Sequence, residues 1–261
     1  NEGTFHDLDV EVKEGAVCES DCVEAIQWGD IHLEHIDKDI QSMFWQGGDS
    51  VIDLLKPKVQ LFHDLIDGHS HNPHEAKNPL RQYQNHIAGK NAYRAWCKSY
   101  VIWSNHDEFM RRWLHDSNYK SDHVNSKFIL KNELTAREQA DRGESVSYFR
   151  NALDSQKSTV LTSDEGNLSV KGVLLDFHGN NGAGGSRGSV KGFSKSGHKT
   201  MTGHSHSAWW IAGATSAGTC SNLYLGYNNG LSSWSHTFTV LYKSGKRCQV
   251  TANSETKKWR A

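Results

Sequence analysis

The sequence has no apolar run of about 18 or more residues, the length at which a segment reads as a membrane helix. Its opening, NEGTFHDLDVEV, is acidic and mixed and lacks the pattern of a signal peptide. Nor is there an excess of charge of one sign: 29 Lys and Arg against 30 Asp and Glu leave a formal net charge of −1. That balance excludes capture of nucleic acid by overall charge and leaves only a local basic patch for such binding. There is no CxxC pair among the five cysteines, Cys18, Cys22, Cys97, Cys220 and Cys248. An odd number without that spacing argues against both a disulfide framework and a closed four-cysteine zinc site, and fits reduced thiols in a cytoplasmic setting.

Charged residues at 23% and aromatics at 10% describe a folded globular chain, and 261 residues can bury one substantial core. Residues 1–24 carry no readable motif and are taken as an N-terminal extension, with 25–261 as one domain. A first residue of Asn rather than Met suggests a trimmed chain or one joined to an upstream part.

What the sequence has in excess is histidine: sixteen, dispersed rather than in a tag. Histidine is the commonest metal ligand. The tetrapeptide GHSH occurs twice, in LFHDLIDGHSHNPHE (61–75) and in KTMTGHSHSAWW (199–210). Histidines two apart on a strand face one side, so either copy has the spacing of a metal site. Their flanks differ, which argues against an internal repeat.

Patterning alternates strand and helix for about the first 200 residues. CVEAIQWGDIH, KVQLFHDLID, SYVIWSNHDE, LSVKGVLLDFHGN and KTMTGHSH read as strands with polar ends. Helices are expected over about 36–56, over LRQYQNHIAGKNAYRAWCK, in EFMRRWLHD and in LTAREQADRGESVSYFRNALD. After 206 the texture turns to strands: SAWWIAGATS, NLYLGY, SSWSHTFTVLY and RCQVTA, with KSGKR as a hairpin turn. The expected class is α/β, in layers.

Five of these strands end in metal-capable side chains: Asp30 and His32; Asp64 and Asp67; Asn105 and His106; His178; His204 and His206. In open α/β sheets, sites form beyond the carboxyl ends of strands. The blocks GDIH, HDLID, SNHDE, DFHGN and GHSH, in this order over residues 25–215, closely resemble those of the calcineurin-like metallophosphoesterase superfamily. The texture around FHDLID and DFHGNNGAGGSRGS also resembles bacteriophage-encoded, nuclease-like members, which places the protein in the host cytoplasm.

That resemblance implies a β-sandwich flanked by helices in four layers, with 25–261 as the catalytic domain. It implies two divalent ions, most simply Mn²⁺ with Fe or Zn²⁺ as alternatives. One would be held by Asp30, His32 and His206, the other by Asn105, His178 and His204, with Asp64 bridging. The donor types agree, since carboxylate, imidazole and amide oxygen suit such metals better than Ca²⁺ or Mg²⁺. Phosphodiester hydrolysis by a hydroxide held between the ions would follow. His106 stands in the position of the general acid, and Asp67 is placed to keep it cationic. The first GHSH, with His69 and His71, would be rim. Two departures stand out: the family's usual glycines are replaced by His63 and Ser104.

The stretch GNNGAGGSRGSVKGFSKSGHK adds a glycine-rich loop, a short helix and basic residues four apart: Arg187, Lys191, Lys195 and Lys199. They read either as a solvated face or as a wall along a nucleic-acid backbone, with Arg187 and Lys191 as the substrate-binding candidates. Trp209 and Trp210 read as strand core, and Trp234 and His236 as a cap on the site. DNA is the expected substrate. A phosphomonoesterase or protein phosphatase is the alternative, and a non-catalytic scaffold the third reading.

Overall fold

The computed structural model describes residues 4–7, 10–13, 16–19, 23–67, 92–115, 118–123, 125–144, 146, 148, 151, 159–161 and 168–260. The first GHSH, with His69 and His71, lies outside them, as does most of the helix expected from residue 80.

The first three strands, β1 (Thr4–Asp7), β2 (Val10–Lys13) and β3 (Ala16–Glu19), pair as an antiparallel sheet of their own. A seven-stranded sheet follows. Its parallel half is β4 (Val23–Gln27), β5 (Val59–Phe62), β6 (Lys98–Ile102) and β7 (Thr159–Leu161).

A second, five-stranded sheet holds β8 (Ser169–Val170), β9 (Val173–Leu174), β10 (Lys199–Thr202), β11 (Trp209–Ile211) and β12 (Ala214–Ser216), in the order β11-β12-β10-β9-β8. β9 and β10 run parallel. The antiparallel half of the larger sheet is β13 (Thr237–Tyr242), β14 (Arg247–Asn253) and β15 (Lys258–Arg260), with β13 against β4.

Alternation along the central strands sends side chains to two apolar layers. Ile26, Phe62, Val101, Phe238 and Val240 point one way, onto α1 (Lys38–Trp45) and α2 (Val51–Leu55), whose Ile40, Phe44, Ile52 and Leu55 complete that core. Ala25, Leu61, Tyr100, Ile102 and Leu241 point the other way and meet Val173, Leu175 and Met201 of the five-stranded sheet. The α/β class expected from the sequence therefore forms, with two sheets sharing one buried layer.

Local chemistry explains several boundaries. Asp37 caps α1, its side chain accepting from the Asp39 and Ile40 N–H groups. The single helix expected over 36–56 is two, because Gly47 takes a φ of +83° and breaks the run. LSVKGVLL, expected as one strand, is a hairpin of two-residue strands. Lys171 and Gly172 both have positive φ, the backbone of a two-residue turn. NLYLGY forms no strand. Two further helices are α3 (Asn105–His115), over the expected EFMRRWLHD, and α4 (Ser126–Asp141), which begins before the expected Leu134 and stops short of the expected Asp154, with Gly143 at a φ of +71° just past its end; α5 (Val190–Lys195) follows the glycine-rich loop. No helix among the described residues is long and apolar enough to cross a membrane.

Candidate metal centre

The carboxyl ends of β4, β5 and β6 from one sheet, and of β9 and β10 from the other, open onto one rim. Backbone hydrogen bonds tie the turns together there. The Ile31, His32 and Leu33 N–H groups donate to the carbonyls of His63, Asp64 and Leu65, and Gly203 N–H donates to His178. Asp30, His32, Asp64 and His178 are almost wholly buried.

Two clusters share one residue. Ligand-capable atoms of Asp30, His32, Asp64 and His206 lie within 4.8 Å of one another, and so do those of Asp64, His178 and His204. Asp64 belongs to both. Its Oδ2 is 3.7 Å from His32 Nε2 and 3.3 Å from His178 Nε2, and Asn105 Oδ1 is 3.1 Å from the latter nitrogen. On the other side His206 Nε2 lies 3.3 Å from Asp30 Oδ2.

The backbone is shaped for this convergence. His32, Asp64, His204 and His206 all have positive φ, of 43°, 40°, 73° and 54°. Side chains seldom occupy that region, and such strain collects at functional sites. Gly203 is needed for space, because a Cβ there would collide with the Asp30 carboxylate and press on the His63 ring.

Unpaired polar atoms test whether the residues fit a cation. Both oxygens of Asp30, Asp64 Oδ1 and His206 Nδ1 are buried without a hydrogen-bond partner, an arrangement that is costly unless a positive charge compensates it. His32 Nε2 and His206 Nε2 face each other at 2.9 Å, which a shared proton can bridge. Burial opposes a charged His32, yet the hydrogen bond to Asp67 and the Asp64 carboxylate hold its pKa up at about 9. Burial and then His32 keep His206 well below the usual range. Burial, and then the charge of Asp64, push Asp30 up to about 7. Burial works against a charged Asp64, but His178 and His106 hold its carboxyl well down. These buried His and Asp groups could therefore hold metal ions.

Asp67 lies beside the centre, and its carboxylate is nearer to His32 than to His106. Asp67 Oδ1 is 3.0 Å from His32 Nδ1 and 3.6 Å from His106 Nδ1. His106 Nδ1 lies 2.9 Å from the Asp67 carbonyl oxygen, which can only accept, so Nδ1 carries hydrogen and Nε2 turns inward, 4.0 Å from Asp64 Oδ2. Ser104 N–H donates to the Asp107 carboxylate at 2.7 Å. Burial, and then Asp64, raise the Asp107 carboxyl well above its usual range.

Of the basic residues, only Lys191 and Lys195 share α5. Arg187 precedes it in a bridge with Asn181, and Lys199 begins β10. One helical stripe does not form, since α5 has only six residues. Arg187 and Lys191 are exposed, and Arg187 adds to the influences, led by burial, that lower His204 to about 4. Trp210 is not core: it is 46% exposed under the Arg247 guanidinium. Trp234 reaches the centre, its ring centroid 4.2 Å from that of His206, while buried His236 bonds instead with the Ser221 carbonyl. Sequence reasoning missed Gln27 and Asp107, whose only signal is a polar residue at a strand end or helix start.

The chain is 31% identical to Protein A1 of Escherichia phage T5 over 275 aligned positions, covering 95% of this chain and 49% of that protein. It thus spans about half the length of the curated relative it matches, and the similarity supports a phage origin. No protein-family model and no solved structure matches it.

Proposed function

We propose that this chain is a dinuclear-metal phosphodiesterase of the calcineurin-like metallophosphoesterase type, acting on DNA in the host cytoplasm. One observation carries the reading: Asp64 belongs to two His/Asp clusters that meet at the carboxyl ends of strands from two sheets. The two sheets around a shared apolar layer, with α1 and α2 outside, suit that family's layered fold.

In this reading Asp30, His32 and His206 hold one ion, Asn105, His178 and His204 the other, and Asp64 touches both. Mn²⁺ suits the donor set, with Fe and Zn²⁺ close behind. Two such ions supply a water acidic enough to ionise near neutrality and positive charge opposite the phosphoryl oxygens. Asp67 Oδ1 stands 3.0 Å from His32 Nδ1, a position that would favour hydrogen on that nitrogen and leave Nε2 for the metal. The Asp67 carbonyl orients His106 by accepting from its Nδ1–H, so in the cationic ring the proton given to the leaving oxygen is the second one, on Nε2. Arg187 lies exposed within electrostatic reach of His204, and Lys191 is exposed on α5 four residues on, so a phosphate backbone can pass along them.

The test is Mn²⁺-dependent turnover of duplex DNA, single-stranded DNA, a small phosphodiester and a phosphomonoester, with Asp64→Ala as control. DNA cleavage that vanishes in the control is the expected result. Turnover of the monoester with DNA left intact would replace this reading with a phosphomonoesterase.

A further inference from the structure

His63 occupies a position where the resembled family carries glycine, and its side chain is fully buried. Its two ring nitrogens have different neighbours: Nδ1 lies 3.4 Å from His178 Nδ1, and Nε2 lies 3.0 Å from Gln27 Nε2. The His63 and His178 centroids are 5.6 Å apart with planes inclined by 28°. That separation exceeds the nitrogen–nitrogen distance by about two ring radii, so the rings meet edge to edge and the nitrogens point at each other. His178 turns its other nitrogen, Nε2, towards Asp64 and Asn105. The result is a buried line from the end of β4 to the centre: Gln27, His63, His178.

From this we infer that Gln27 and His63 are positioning residues for the ion held by His178, His204 and Asn105. The inference rests on the dinuclear reading above. A neutral imidazole that binds metal through Nε2 carries its hydrogen on Nδ1. His63 Nδ1 must then accept, His63 Nε2 must carry hydrogen, and Gln27 must present its oxygen to that nitrogen. Nitrogen and oxygen of an amide are told apart only by their hydrogen bonds, so Gln27 can serve in either sense. Metal at His178 therefore selects one direction for the whole line. Outer partners of this kind usually hang on a carboxylate or carbonyl; here a second histidine takes the role.

The experiment is calorimetric titration of the full chain with Zn²⁺, comparing wild type, His63→Ala, His63→Asn and Gln27→Leu, with metal-free thermal melts to check folding. Asparagine places a carbonyl oxygen where the His63 Nδ1 stands. Wild type is expected to bind two ions. His63→Ala should weaken one of them by about 10–100-fold and leave the other unchanged, the usual cost of losing an outer partner. His63→Asn should recover most of that loss. Nitrogen-15 spectra of the Zn²⁺-loaded wild type should show His63 protonated at Nε2 and bare at Nδ1. Equal losses in the Ala and Asn variants, no loss in either, or the opposite tautomer would overturn the relay while leaving the dinuclear centre standing. A wild type that binds fewer than two ions would remove the reading and the relay together.

Discussion

The turns that converge on Asp64 and the rim that surrounds them are built differently. At the centre, buried residues hold four positive-φ side chains in place, cross-linked by backbone hydrogen bonds between loops. At the rim, Arg187 and Lys191 stand exposed, and residues 222–234 expose Tyr224, Tyr227 and Leu231, with Tyr227 against Trp234. The interior tolerates one arrangement, because every polar atom there must find a partner or a cation. The rim has no such constraint, so it can be shaped by whatever it binds.

Mutations can break this contrast, and the centre should respond most. Asp64→Ala removes the residue common to both clusters. Loss of both ions, measured by elemental analysis after dialysis, and loss of nearly all turnover are expected; retention of two ions would refute the bridging role.

His106→Ala should come next. It should keep both ions and slow turnover by roughly 10²–10⁴, the range for a lost acid–base group. A substrate with a good leaving group should show much less of that deficit, and an unchanged rate with a poor one would remove His106 from the mechanism.

Protonation gives a third, intermediate effect. Asp30, raised to about 7, and His32, raised to about 9, each hold a proton that a metal must displace. His204, lowered to about 4, has none to lose at neutral pH. Metal affinity should therefore rise with pH through about 6–9 and then level off, with proton release falling over the same window. For Asp30 the sign carries over to stability. Its folded pKa lies above the unfolded value, so the folded metal-free chain binds the extra proton between about 4 and 7. That contribution to stability falls as pH rises across the window. Calorimetry in buffers of different ionisation enthalpy counts the protons; release that does not vary with pH would contradict these assignments.

The smallest effect belongs to the rim. Replacing Arg187 and Lys191 together by Ala should weaken DNA binding and lower the slope of log affinity against log salt by up to about two, one per lost phosphate contact. An unaltered slope would make both ordinary surface charges.

Much of the centre was legible in the chain itself. Each of Asp30, Asp64, Asn105, His178, His204 and His206 follows a strand within a few residues, and that pattern survives in sequence because strand ends are local. Side-chain pairing was less legible. Asp67 was expected beside His106, yet its carboxylate lies closer to His32, since a carboxylate between two imidazoles settles by distance rather than by order in the chain. The four-residue spacing of Arg187, Lys191, Lys195 and Lys199 suggested a helical face, but a run of six helical residues cannot carry it. Trp210 looked like core and is an exposed residue on an outer strand.

By itself, the sequence determined which His, Asp and Asn side chains stand just beyond strands, because residue type and strand periodicity are properties of short segments. Only the tertiary structure decided that Asp67 stands closer to His32 than to His106, that Trp234 rather than His236 reaches His206, and that His63 links Gln27 to His178. Those pairings join residues far apart in the chain, across two sheets whose facing is set by their shared core, and no local pattern encodes them.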